Sequence, residues 1–143
     1  MKMRTHCRRH GGFTLLELLV VLLIVALLAG FVGPKLFDKV SRAKTQTAQG
    51  QLKLIADALD QYRLDTGRYP STEQGLAALV SKPADQATWR GPYLAKGVPN
   101  DPWDKPYTYQ APGTTHDYEL LTLGADGKAG GSGEDADVDF WQF

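Results

Sequence analysis

Hydrophobic residues are distributed very unevenly along this chain of 143 residues. Positions 13–33 form an almost uninterrupted apolar run that carries one formal charge, the carboxylate of Glu17. At about 1.5 Å per residue, a helix over this run reaches roughly 31 Å, which matches the hydrocarbon thickness of a bilayer. The pattern therefore predicts that residues 13–33 form the first half of a long helix and cross a membrane.

Beyond this run the apolar residues become periodic, with spacings of three and four that place them on one helical face. The residues of this face are Leu52, Ile55, Ala56, Leu59 and Tyr62. The spacing predicts an amphipathic second half of the helix, ending near 65–67 with Gly67 as its C-terminal cap. Between the two halves, Pro34 removes a backbone donor and is expected to kink or loosen the helix.

The next part of the chain is dominated by proline, since seven of the eight prolines fall between Pro70 and Pro112. This density excludes a long regular element and indicates an ordered loop. Ser71 and Gln74 have the spacing of a capping box, which predicts a short helix through Val80. The aromatic residues of the loop, Trp89, Tyr93 and Trp103, are expected to pack against the amphipathic helix.

Short segments with strand-forming residues come last, at 107–109, 118–123 and 138–141. Three short strands joined by turns predict a small antiparallel sheet laid on the helix. The expected fold class is α+β, with one long N-terminal helix whose second half packs on that sheet.

The charges are as unevenly placed as the apolar residues. The first 12 residues contain four of the 16 basic residues and no acidic residue, which leaves 12 basic against 16 acidic residues in the remainder. This basic cluster before the apolar run predicts that the N-terminus faces the cytoplasm and the polar part lies outside. The acidic remainder argues against nucleic-acid binding, which needs a basic surface.

The glycine-rich segment 123–139, called the acidic loop below, concentrates five of the 15 glycines. Its acidic residues, Asp126, Glu134, Asp135, Asp137 and Asp139, outnumber its one basic residue, Lys128. Such a loop suits calcium, which binds six to eight oxygen ligands, but a solvated acidic turn has the same composition. The one cysteine, Cys7, precedes the apolar run, so the polar part has no disulfide that could fasten its C-terminal end.

Four segments together resemble one known family. The stretch Gly12-Phe13-Thr14-Leu15-Leu16-Glu17-Leu18 resembles the class III signal of type IV pilins and pseudopilins. Segments 69–76, 101–107 and 123–137 then resemble, in order, the "YP-T-QGL" segment, the "DPWG-PY" segment and the calcium loop of the type II secretion major pseudopilin. One departure is Asp104, where that family usually has glycine, so the family pattern does not determine the conformation of this turn.

For the N-terminus, the resemblance implies that a prepilin peptidase cleaves after Gly12 and methylates Phe13. Glu17 would then meet the Phe13 amine of a neighbouring subunit, and Pro34 corresponds to the family's helix-breaking proline. The alternative for Glu17 is a solvated carboxylate at the bilayer surface. For the acidic loop, the resemblance implies calcium held by the carboxylates of Asp126, Asp135 and Asp137 and the carbonyls of Leu123 and Lys128.

The domain organisation implied is a leader over 1–12, a membrane and filament-core segment over 13–33, and a periplasmic domain over 34–143. The resemblance implies a structural subunit, with no catalysis, of a periplasmic filament that drives export of folded proteins across the outer membrane. Its partners would be further copies of itself, minor pseudopilins, the prepilin peptidase and the inner-membrane assembly platform. A type IV pilin for adhesion or motility and a membrane-anchored calcium-binding periplasmic protein remain the alternatives.

Overall fold

The computed structural model describes residues 12–143, apart from the side chains of residues 33–35. The predicted leader, except Gly12, and Cys7 lie outside the described residues. The chain divides after Phe37 into two units, which we describe separately. The first element, helix α1, runs over Leu15–Thr66 and contributes to both units.

In the first unit, α1 carries the apolar run, and every described side chain from Phe13 to Val32 is exposed to solvent. Phe31, for example, is 79% exposed. The helix continues without a break through position 34, so Pro34 does not end it. None of the described residues of this unit covers the apolar run, which is the exposure expected of a segment that lies in a membrane or against another chain.

In the second unit, the amphipathic half of α1 supplies the centre of the core. The predicted face is confirmed, since Leu52, Ile55, Leu59 and Tyr62 are fully buried. The helix ends at Thr66 and is followed, as predicted, by Gly67 as its cap, whose φ of 80° is strained for residues with a side chain. The amide of Gly67 donates to the carbonyl of Arg63 at 2.7 Å.

A three-stranded antiparallel sheet, in the order β1-β2-β3, packs on this helix face. The strands are β1 (Thr108–Gln110), β2 (Glu119–Thr122) and β3 (Val138–Asp139). In the register of the sheet, Tyr109 faces Leu120 and Leu121 faces Asp139. The predicted α+β fold is confirmed.

The strand boundaries differ in part from the prediction. The predicted strand over 138–141 stops at Asp139, and Phe140–Gln142 form a 3₁₀ turn. The physical reason is local: the carboxylate of Asp139 accepts the amide of Trp141 at 3.0 Å and turns the chain out of the sheet. Strand β1 begins one residue later than predicted, and β2 is shorter at both ends.

The proline-rich loop closes the remaining side of the core. Ser71 and Gln74 form the predicted capping box, with amide to side-chain distances of 2.9 and 3.2 Å. The short helix that follows is a 3₁₀ helix over Leu76–Leu79. The indole of Trp89 donates to the carbonyl of Ala78 at 2.8 Å, and Tyr93 packs edge-on against Tyr62. Tyr93 therefore packs against the amphipathic helix as predicted, and Trp89 and Trp103 pack against the core to which that helix contributes.

Candidate functional sites at the helix start and the acidic loop

The start of α1 is organised by a reciprocal capping box between Thr14 and Glu17. The carboxylate of Glu17 accepts the amide and the hydroxyl of Thr14, both at 3.1 Å. In return, the amide of Glu17 donates to the Thr14 hydroxyl at 3.2 Å. Glu17 therefore has a bonding partner within its own chain before any neighbour is present. Sequence reasoning missed this pair, although the T-x-x-E spacing is its usual signal.

The predicted processing residues, Gly12 and Phe13, are exposed immediately before this capping box. Phe13 keeps 83% of its surface exposed. Among the described residues, α1 is the one helix long and apolar enough to cross a membrane. The helix start thus combines two exposed residues, one carboxylate and an apolar segment that no described residue covers.

The acidic loop begins where β2 ends, and its backbone turns sharply at its glycines. All five of its glycines have positive φ values between 64° and 95°. A Cβ atom at Gly131 would overlap the carbonyl oxygen of Asp135, and one at Gly124 would lie 2.7 Å from that of Glu134. Only glycine allows these carbonyl oxygens to approach so closely, and the result is a compact loop rich in backbone oxygen.

The predicted calcium ligands occupy different parts of this loop. Asp126 accepts the amide of Lys128 at 3.0 Å, and Asp137 accepts the amide of Gly130 at 2.9 Å. Asp135 is exposed, and Leu123 is half-buried at the beginning of the loop. Among the described residues, no group of three His, Cys, Asp or Glu side chains is close enough to hold a metal ion. The predicted ligands therefore lie in one loop, but their carboxylates do not point at a common position in this structure.

The donor atoms nevertheless suit calcium. Carboxylates and backbone carbonyls are hard oxygen donors, and the loop contains neither histidine nor cysteine. Asp126 and Asp137 each use one carboxylate oxygen for a loop amide. Calcium accepts a flexible, irregular coordination shell and could be held by these residues together with the carbonyls of Leu123 and Lys128.

A buried carboxylate that sequence reasoning missed supports the beginning of the acidic loop. Asp101 is 5% exposed and accepts the amides of Trp103 and Lys105 at 3.0 and 2.8 Å. Its second oxygen accepts the hydroxyl of Thr122, which in turn accepts the amide of Gly124 at 3.3 Å. This chain of bonds fixes the 101–105 turn to the residues where β2 becomes the loop.

The same buried region raises the pKa of the Tyr107 phenol, first by burial and second by the negative charge of Asp101. Tyr107 therefore stays neutral and donates to the side-chain oxygen of Gln51 at 2.5 Å. Gln51 lies on α1, so this bond joins the 101–107 segment to the helix.

Asp104, the departure from the family pattern, adopts the conformation that glycine would adopt. Its φ is 63°, and it is the one residue other than glycine with a positive φ in the described chain. Asparagine and aspartate tolerate this region better than other residues, and the Asn100 amide donates to the Asp104 carboxylate at 3.0 Å. The turn thus keeps a glycine-like geometry with an aspartate in place.

We expect Asp104→Gly to raise the free energy of unfolding by up to about 1 kcal/mol, because glycine adopts a positive φ without steric cost. Asp104→Ala should lower it, since alanine tolerates a positive φ less well than aspartate and loses the bond to Asn100. Chemical denaturation followed by tryptophan fluorescence measures both. Asn100→Ala is the matched control, because it removes the bond and leaves the backbone residue unchanged.

His116, the one histidine after Gly12, is exposed. Its ring stacks on Trp141 with a centroid distance of 4.2 Å and an angle of 3°. The Trp141 indole donates to the carbonyl of Tyr118 at 2.9 Å. His116 therefore takes part in packing the C-terminal turn against β2.

Comparison with known proteins decides the family. The sequence profile described as type II secretion system (T2SS), protein G matches residues 35–141, and that of the prokaryotic N-terminal methylation motif matches residues 7–33. The chain belongs to the type II secretion system protein G family. The two matches meet at the end of the apolar run, so the methylation motif covers the helix start and the family profile covers the polar part.

Relatives of the family cover nearly the whole chain. The type II secretion system core protein G of Pseudomonas aeruginosa is 47% identical over 94% of this chain and 96% of its own length. That of Vibrio cholerae is 43% identical over 95% of this chain and 94% of its own length. The crystal structure of the major pseudopilin from the type 2 secretion system of enterohaemorrhagic Escherichia coli is also similar. It has a TM-score of 0.59 and 37% identity, and the match covers 73% of this chain and 92% of that chain.

Proposed function

We propose that this chain is the major structural subunit of a type II secretion pseudopilus, a periplasmic filament that drives export of folded proteins across the outer membrane. The observation that carries this proposal is the exposed apolar half of α1, which no described residue covers, in a chain of the protein G family. A helix of this kind is stable in a bilayer and can exchange lipid contacts for helix contacts in an assembly. The subunit has a structural role and catalyses no reaction.

Processing and location follow from the same helix. We propose that a prepilin peptidase cleaves after Gly12 and methylates Phe13, which lies exposed beside the capping box. Before assembly, the chain crosses the inner membrane once, with its N-terminus in the cytoplasm and residues 34–143 in the periplasm. The partners are further copies of this chain, minor pseudopilins at the filament tip and the inner-membrane assembly platform.

Deleting the gene and comparing the secreted proteome tests the function. Accumulation of folded exoproteins in the periplasm, restored by the wild-type gene, is the expected result. Loss of surface pili or twitching with unchanged secretion would instead indicate a type IV pilin. Mass spectrometry of the mature N-terminus gives a second test: methylated Phe13 supports processing, and an uncleaved chain contradicts it and indicates an anchored calcium-binding protein.

We also propose that the acidic loop binds calcium through Asp126, Asp135 and Asp137 and the carbonyls of Leu123 and Lys128. The support is the oxygen-only donor set, the positive φ of every loop glycine and the absence of a disulfide-forming pair in the sequence. β3 lies at the C-terminal end of this loop, so a bound ion would fasten the last strand to the sheet.

Calcium is expected to stabilise the domain by about 2.7 kcal/mol when its concentration is one hundred times the dissociation constant. Thermal unfolding of the full chain in detergent, followed by tryptophan fluorescence, should show a midpoint several degrees higher in calcium than in EDTA. Asp135→Asn should reduce this difference, and Asp57→Asn, on an exposed part of the helix, should leave it unchanged. Equal midpoints in calcium and EDTA would contradict calcium binding.

A further inference from the structure

Two lysine ammonium groups from outside the acidic loop bind it at two different places. Lys105 donates to the carbonyl oxygen of Ala125 at 2.6 Å, in the first turn of the loop. A Cβ atom at Gly127 would lie 2.8 Å from this ammonium, so Lys105 also lies against the backbone of Gly127. Lys44, on α1, contacts the carboxylate of Glu134 at 3.2 Å, in the short 3₁₀ turn of the loop.

These two contacts are connected through the loop backbone. The amide of Ala125 donates to the carbonyl oxygen of Glu134 at 2.8 Å. The bonds therefore run without interruption from Lys105 to Ala125, from Ala125 to Glu134 and from Glu134 to Lys44. The first turn of the loop and its 3₁₀ turn are held together by their own backbone and by one positive charge at each end.

The two lysines are not equivalent. The Lys44–Glu134 pair is about one-third exposed, at 34% and 35%, and pairs this exposed are screened by water and contribute little. Lys105 is half-buried and bonds to a backbone carbonyl, and charge-assisted bonds of this kind are stronger than neutral ones. The backbone of Lys105 is also fixed, because its amide is bound by the buried Asp101. Lys105 is therefore the better anchored of the two.

A loop with five glycines and five acidic side chains is costly to order, because its backbone entropy is high and its charges repel one another. A cation at the loop offsets both effects. We propose that Lys105 is a positioning residue, and that its ammonium keeps the first turn of the acidic loop folded when no divalent cation is bound. The loop would then be ordered in advance for the calcium that we propose it binds, and this last step rests on that proposed function.

Hydrogen exchange of the full chain in detergent tests the proposal, with peptides covering 123–139 compared in EDTA and in calcium chloride. In EDTA, Lys105→Met should accelerate exchange of the loop by about tenfold, as expected for the loss of a hydrogen bond to a charged group. Calcium chloride should restore slow exchange in Lys105→Met, because the metal then supplies the missing positive charge. Lys105→Arg, which can still donate to Ala125, should behave as the wild type.

Two further variants separate this role from general charge effects. Lys44→Met should accelerate loop exchange less than Lys105→Met, and Lys96→Met, at an exposed position outside the loop, should have no effect. Peptides covering 48–62 of α1 should exchange equally in all variants, which shows that the domain remains folded.

Exchange of Lys105→Met at the wild-type rate in EDTA would overturn the proposal. The proposal would also be overturned if calcium slowed loop exchange in the wild type but not in Lys105→Met. Lys105 would then be only a packing residue. A third result is that calcium alters the loop exchange rate in neither the wild type nor Lys105→Met, while Lys105→Met still exchanges faster than the wild type. The calcium proposal then fails alone, and Lys105 is confirmed as the cation that orders the loop.

Discussion

A Glu17→Gln chain is expected to enter the membrane normally and to fail to assemble into filaments. In the described structure, Glu17 closes the first turn of α1 through Thr14. Glutamine also serves in a capping box, so this substitution keeps the helix start and removes only the negative charge. If the charge pairs with the Phe13 amine of a neighbouring subunit, each subunit contact loses a buried ion pair, and breaking one costs about 3–5 kcal/mol.

The measurement is filament yield by electron microscopy of sheared fractions, with the secreted proteome as the functional readout. Membrane fractionation should show the variant at wild-type level. Glu73→Gln, at an exposed position of the second unit, is the matched control and should assemble normally. Wild-type filaments and wild-type secretion from Glu17→Gln would show that the charge has no role in assembly.

The second large effect is expected at Asp101. Alanine at this position would leave the amides of Trp103 and Lys105 and the hydroxyl of Thr122 without their acceptor in a buried site. We expect Asp101→Ala to lower the free energy of unfolding by about 3 kcal/mol, since unsatisfied buried donors cost about 1–3 kcal/mol each. For a domain of this size, the melting temperature should fall by roughly 10 °C or more.

Two variants test this explanation of the Asp101 effect. Asp101→Asn keeps one acceptor oxygen for the two amides and should cost less than the alanine variant. Thr122→Val removes one of the three donors and should also cost less. Thermal and chemical denaturation of the full chain followed by tryptophan fluorescence reports on the second unit alone, because all three tryptophans, at 89, 103 and 141, lie there. A change below about 0.5 kcal/mol in Asp101→Ala would contradict the proposed support, since ordinary surface substitutions produce changes of that size.

Several features with a local sequence signal were predicted correctly. The buried face of α1 follows from the spacing of Leu52, Ile55, Leu59 and Tyr62, because a helix with this pattern has one face to bury. The helix end at Gly67 and the Ser71–Gln74 capping box depend on residues at most four positions apart. Such features are set by neighbours along the chain, so the sequence alone was enough to find them.

The side-chain hydrogen bonds between distant residues were not predicted. Asp101 and Thr122 are 21 positions apart, and Lys105 and Ala125 are 20 apart, so no local pattern pairs them. The predicted strand over 138–141 was too long because the alternation of Asp139 and Trp141 also suits the 3₁₀ turn that the Asp139 carboxylate caps. The pairing of Thr14 with Glu17 was a local signal, and it was overlooked because Glu17 was interpreted only through its role between subunits.

The shortness of β3 has a consequence for how the subunit would be degraded by proteases. Only Val138 and Asp139 pair with β2, and of the aromatic residues that follow, Trp141 and Phe143 are exposed. A segment held by so few backbone bonds opens more often than the helix or the central strand. Proteases would therefore cleave an unassembled subunit first in this C-terminal segment. Degradation should begin there while the buried part of the helix is still folded.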